Sequence, residues 1–289
     1  MRPSPAPRPA ARRALTCAAV LAVVLAGARP AQAQLAEGGA RVLGLGRAGV
    51  ALGAEAWGHL NPAAWAGLTE GRGALQASQA FGLSELRLAQ LTAAVPTGVG
   101  TVALAARTYG FTEHRETRVA VGFGRAIPLS ATRRLEAGVS VGYETATTEG
   151  YGAVGTALLS VGVQGDVVRG IRAGLAGRNL LGILWDGDED ARHSLATVPS
   201  VAVGVAYAPS PVATLVLDAE QDLDAGLSLR AGLEVFPVSV LALRVGVSDG
   251  PSRISAGVGV RAGALRADLA VERHESLGLT PAVGVEVSF

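Results

Sequence analysis

From about residue 73 onward, apolar side chains alternate with small or polar ones in segments of roughly ten residues. A period of two puts successive side chains on opposite faces of an extended strand. The last five segments show it best. Leu227, Leu229, Leu233 and Val235 share one face, and Ser228, Arg230, Gly232 and Glu234 the other. Leu241, Leu243, Val245 and Val247 alternate with Ala242, Arg244, Gly246 and Ser248. Ile254, Val258 and Val260 stand against Ser255, Gly257, Gly259 and Arg261. Leu265, Leu269 and Val271 stand against Arg266, Asp268 and Glu272, and Val283, Val285, Val287 and Phe289 against Gly284, Glu286 and Ser288. Fourteen such segments fall near 73–80, 86–95, 99–109, 117–127, 134–145, 153–164, 170–179, 200–208, 212–221, 226–236, 238–248, 253–262, 264–274 and 280–289.

Membrane-spanning strands run to about 9–11 residues, against about 5–6 for an ordinary globular strand. An even number of strands closes an antiparallel barrel and leaves no unpaired edge in lipid. The pattern therefore predicts an all-β fold, a 14-stranded antiparallel transmembrane β-barrel. The connections support it by alternating in length. Pro96-Thr97-Gly98, Pro128 to Arg133, Gly165 to Arg169, Pro209-Ser210-Pro211, Pro237 and Gly263 mark tight turns. Gly110 to Glu116, Ala146 to Gly152, Leu180 to Pro199, Asp222 to Ala225, Asp249 to Ser252 and Glu275 to Leu279 are mostly longer and polar. Short periplasmic turns and longer external loops are what an outer-membrane barrel requires.

Residues 34–72 do not alternate and are rich in Gly and Ala. Asn61 can cap a short helix whose first turn holds Pro62. The expectation is a partly helical N-terminal hatch, residues 34–72, packed in or under a barrel of residues 73–289. Residues 1–33 have the anatomy of a cleavable export signal. Arg2, Arg8, Arg12 and Arg13 precede the apolar run from Ala14 to Gly27, and Ala31-Gln32-Ala33 offers small residues for cleavage.

The charge picture changes once that signal is removed. Taking its five arginines from the 25 basic residues leaves 20 against 24 acidic ones, a net of −4. That removes the electrostatic basis for binding nucleic acid. The only cysteine, Cys17, leaves with the signal, so the mature chain has no thiol or disulfide chemistry.

The inward face of the last five strands carries Arg230, Arg244, Arg261 and Arg266 with Glu234, Asp268, Glu272 and Glu286. These are the expected lumen-lining residues. Their balanced charge argues against a strongly ion-selective open pore. Unpaired charge in a confined lumen is costly, so mutual pairing, and pairing with the hatch, is expected. The inward glycines Gly122, Gly124, Gly138, Gly142, Gly174, Gly204, Gly257, Gly259 and Gly284 leave room for a hatch. Trp57 and Trp65 read as hatch packing. Gly44 to Gly49 matches a GxGxxG string, but no strand precedes it as a nucleotide site requires. Asp186, Asp188 and Asp190 begin like a calcium loop, yet Ala191 and Thr197 stand where Gly and Glu are needed. His59, His114, His193 and His274 are scattered, and His274 with Ser276 lacks a third catalytic partner. No catalytic residue, metal site or cofactor is expected.

The sequence resembles the outer-membrane family that includes the fatty-acid transporter FadL and the PorV/PorQ-type barrels. The residues that carry the likeness run from Gly38 through Gly44-Leu45-Gly46-Arg47 to Ala51, then Asn61-Pro62-Ala63. Arg178-Asn179-Leu180, Leu229 to Glu234, Leu243 to Gly246, Leu277 to Thr280 and the final Phe289 continue it. The resemblance implies a 14-stranded barrel with a lumenal hatch in which Asn61, Pro62, Ala63 and Trp57 take part. It implies passage of small hydrophobic solutes or lipids, or else a non-transporting role in a secretion or envelope complex. It also implies a Gram-negative-type outer membrane, contact with its lipid, and delivery to the assembly machinery through the strand ending at Phe289. FadL's large external loops have no counterpart in this chain.

Overall fold

The computed structural model describes residues 38–130, 133–181, 198–223 and 225–289. The signal segment, the Asp186–Asp190 stretch and His193 lie outside the described residues. Fourteen strands dominate the chain. They are β1 (Arg72–Gln79), β2 (Arg87–Thr97), β3 (Gly100–Gly110), β4 (His114–Pro128), β5 (Arg134–Thr148), β6 (Gly152–Val168) and β7 (Ile171–Arg178). The second half holds β8 (Ser200–Ser210), β9 (Ala213–Asp222), β10 (Gly226–Val238), β11 (Leu241–Ser248), β12 (Arg253–Ala262), β13 (Leu265–His274) and β14 (Gly278–Ser288).

Each strand pairs antiparallel with its neighbours in sequence, and β1 pairs with β14, so the sheet closes into a barrel. The seam continues past the strands, where the backbone amides of Gly71 and Phe289 each donate to the other's carbonyl at 2.9 Å. All fourteen expected segments are strands. Their edges move by a few residues: β6 runs on to Val168, β11 starts at Leu241 and β14 starts at Gly278. β6 and β14 lengthen because Gly165, Asp166 and Gly278 still pair across the ladder, whereas β11 shortens because Val238 closes β10 and Ser239-Val240 make the turn.

One end of the barrel is made of tight turns, with two residues between β2 and β3, β6 and β7, β8 and β9, β10 and β11, and β12 and β13. Gly263 turns β12 into β13 with φ +59°, a backbone that side chains disfavour. The opposite end carries the longer connections, including residues 179–199. These two ends are called the turn end and the loop end below.

Alternation decides what each face meets. Leu75, Leu104, Val121, Leu229, Val245, Val258, Leu269 and Val285 are exposed on the outer wall. Gln76, Gln90, Glu144, Gln164, Glu234 and Glu272 are buried on the inner wall. This inverts a soluble protein, and it is what a barrel in lipid needs.

The N-terminal segment 38–71 fills the interior. Its α1 (Gly39–Gly44) packs against β11, β12, β13 and β14. Further on, a 3-10 turn, Pro62–Gly67, packs against β3, β4, β5 and β6. Asn61 caps that turn, its side chain accepting from the Ala63 amide at 3.0 Å. The Asn61 amide group donates to the Val50 carbonyl at 2.8 Å, which ties the two halves of the segment together.

Candidate functional site: the filled lumen

The segment supplies the large apolar side chains and the wall supplies small ones. Leu43 and Ala40 pack on Ala270 and Ala282. Leu45, Leu52 and Leu60 reach Ala206 and Val216, and Val50 meets Ala176 and Ala202. Trp65 and Leu68 meet Ala94 and Ala103, and Trp57 meets Ala74. The Trp65 indole N–H donates to the Ala56 carbonyl at 2.9 Å, so the buried ring leaves no polar edge unpaired.

The inward glycines now have a stated use. A methyl group at Gly122 would run into the Trp65 ring, at Gly138 into Pro62, at Gly174 into the Val50 carbonyl, and at Gly284 it would touch Ala40. Gly124 and Gly257 make the same close approach to Ala66 and Gly44, and Gly204 to Val50. Two expected positions differ. Gly142 faces its strand neighbours Val119 and Ala120, and Gly259 faces the Asp268 and Arg244 side chains. There the space is taken by the wall itself. Gly162 and Gly246, not named among those glycines, are as tight, because a Cβ would press on the Asn61 side chain and on the Gly46 amide. Gly246→Val should cost about 1–3 kcal/mol by overpacking. It should also raise the protease sensitivity of residues 38–71, read by limited trypsin digestion with the barrel intact.

Polar anchors complete the packing. Arg47 and Gly46 both adopt left-handed backbone, with φ +64° and +68°. That conformation is uncommon for arginine and persists where surroundings fix it. Here the Arg47 guanidinium donates to both oxygens of Glu272, at 2.7 Å each. Arg41 on α1 pairs with Glu55 and with Glu234. Burial alone would lower the Arg41 pKa, but Glu55 and Glu234 outweigh it and hold the group above its ordinary value, charged at every physiological pH. Asp218 accepts from the amides of Gly49 at 2.6 Å and Val50 at 2.9 Å.

The wall charges also pair with one another. Arg244 donates to Glu234 at 2.6 Å and to Asp268 at 2.7 Å, and Arg266 reaches Asp268 at 2.8 Å. Arg230 pairs with Glu220 at 2.5 Å, and Arg72 meets Glu286 at 3.3 Å. Arg261 is the exception among the eight lining residues read from sequence. It lies exposed at the turn end, and no described residue makes an ion pair with it.

Sequence reasoning left out much of the network. Glu144 holds Arg107 and Arg118, Glu136 holds Arg172 at 2.5 Å, and Arg178 pairs with Glu220. Arg253 lies 3.6 Å from Glu272. The signal for the wall residues was present. Arg118 shares its face with Gly122 and Gly124, and Arg253 stands two places before Ser255. His274 has a plain structural task, its Nδ1 accepting from the backbone amides of Ser276 at 3.1 Å and Leu277 at 3.3 Å. The Phe81 ring meets it edge-on at 5.6 Å.

What stays empty inside is small. A polar cavity of about 50 Å³ lies toward the loop end beside His59, Trp65, Arg118 and Arg178. Another of about 210 Å³ lies at the turn end beside Arg41, Arg72, Arg244 and Arg261. A larger hollow, about 810 Å³, is on the outer wall among Ala77, Ala89, Val258, Leu269 and Val283, a surface that lipid covers.

No protein-family model matches the chain, and no curated protein matches it. Solved structures do. A Pseudomonas aeruginosa FadL homologue is 11% identical, with a TM-score of 0.59 over 89% of this chain and 99% of that one. The CymD monoaromatic hydrocarbon channel is 12% identical, with a TM-score of 0.62 over 88% of this chain and 98% of that one. The Pseudomonas putida toluene transporter TodX is 11% identical, with a TM-score of 0.58 over the same shares of the two chains. At such low identity the shared property is architecture. The chain thus has the closed, fourteen-stranded barrel fold of the FadL-type outer-membrane channels.

Proposed function

We propose that the protein is an outer-membrane channel that passes small hydrophobic solutes or lipids, with residues 38–71 as its movable obstruction. The observation that carries this reading is how the lumen is filled. Short of Gly71, which bonds to Phe289 at the seam, the occupant is held by side-chain contacts and ion pairs, outside the backbone ladder of the barrel. It can shift while every strand pairing stays intact. The fold shared with a toluene transporter and a monoaromatic hydrocarbon channel supports the solute class. In this reading the turn end is periplasmic, the export signal is cleaved, and the strand ending at Phe289 is the handle for the assembly machinery.

Reconstitution tests it. Vesicles carrying the full chain should take up a small aromatic hydrocarbon faster than empty vesicles, and Gly246→Val should speed uptake further. Flux no higher than in empty vesicles, for both the parent and a variant lacking residues 38–71, would reject transport.

A second reading follows from the small, separate interior cavities. A permanently filled barrel would serve a secretion or envelope complex, in the manner of PorV/PorQ-type proteins. It predicts stoichiometric partners in a detergent pull-down and no flux under any condition.

A further inference from the structure

The cavity of about 210 Å³ at the turn end has an arginine that nothing described neutralises. Arg261 on β12 stands directly opposite Arg266 on β13, and both line this cavity. Like charges directly opposite on an antiparallel pair repel. Arg266 has Asp268 at 2.8 Å, and on its other side it stands opposite Glu286. Glu286 is in turn engaged by Arg72 at 3.3 Å. The cross-strand row therefore reads Arg261, Arg266, Glu286, with the acid at the far end. A second unmet demand lies close by, since the Arg72 Nε is buried with no acceptor among the described residues.

We infer that this cavity binds a phosphate group. Arg72, Arg261 and Arg266 line it from three different strands, β1, β12 and β13, while the two carboxylates that also line it, Glu55 and Glu234, are held by Arg41 and Arg244. A planar carboxylate offers two oxygens in one plane and satisfies one or two guanidinium forks. A tetrahedral phosphate presents oxygens in diverging directions and can accept from all three. Its negative charge would neutralise Arg261, which pairs with no acid among the described residues, whereas Arg266 already has Asp268. The chemistry fits a soluble phosphate monoester or the headgroup of an anionic phospholipid. The site is independent of whether the lumen conducts.

The test uses the full chain purified in a neutral sugar detergent without phosphate. Titration with inorganic phosphate, followed by calorimetry, should give one saturable site. Arg261→Gln should weaken it about tenfold or more, the loss of charged hydrogen bonds. Arg261 is exposed and makes no ion pair among the described residues, so its removal leaves folding intact. Arg273→Gln, on the outer face of β13, should bind like the parent. In a parallel arm, native mass spectrometry of protein taken from phosphatidylglycerol nanodiscs asks whether one lipid is retained. Retention that is lost in Arg261→Gln assigns the headgroup, and phosphate binding without retention assigns a soluble phosphate. The inference is overturned if neither probe saturates, if Arg261→Gln binds as the parent does, or if acetate or chloride competes as well as phosphate.

Discussion

Glu272→Ala should lower the unfolding free energy by about 3–5 kcal/mol, the cost of leaving a buried charge without its partner. Glu272 is fully buried and takes both donors of Arg47 at 2.7 Å, with Arg253 at 3.6 Å. Without it, the enclosed Arg47 and Arg253 guanidiniums lose the carboxylate they share. Trp57 and Trp65 sit in the segment that Arg47 anchors, so their fluorescence reports its release. Urea titration in phospholipid vesicles, followed by that emission, is the measurement. Glu272→Gln should lose less, because an amide oxygen still accepts one hydrogen bond. In the double variant Arg47→Ala/Glu272→Ala the loss should be well below the sum of the two single losses. A Glu272→Ala loss under about 1 kcal/mol would place the pair in the range of solvated surface ion pairs and remove it as an anchor.

Val245→Arg should be nearly as damaging for a different reason. Val245 is 56% exposed on the outer wall of β11, midway along the strand, opposite Leu233 and Ala256. A charged side chain at the bilayer midplane of such a barrel costs about 2–4 kcal/mol. The same urea titration in vesicles should show that loss, while Val245→Ala should show a small one. If Val245→Arg folded as stably as the parent, the outer face would not be meeting hydrocarbon.

The strands were legible because lipid on one side and a polar lumen on the other impose a strict period of two. Arg244 between Leu243 and Val245 needs no other explanation. Most turns were legible from Pro and Gly, but Pro237 lies within β10, near its end, and the chain reverses at Ser239-Val240 instead. The partners of the lumenal charges were not, because residues 38–71 have no repeating period. Nothing in the order of Arg41, Arg47 and Glu55 announces that they reach Glu234, Glu272 and back to Arg41. Glu144 and Glu136 were within reach, since they share a face with Gly138 and Gly142 on β5. The inward glycines were legible around the whole barrel, and most of them meet the interior segment because close approach leaves glycine or alanine as the choice.

The reciprocal bonds between Gly71 and Phe289 tie the fate of the wall to the fate of its contents. Gly71 is the residue at which the interior segment hands over to β1, so the root of that segment and the join of the first and last strands coincide. A Cβ at Gly71 would run into the Phe289 ring, which leaves that junction little slack. Disturbing this one residue would therefore loosen the closure and the mooring of the enclosed chain together.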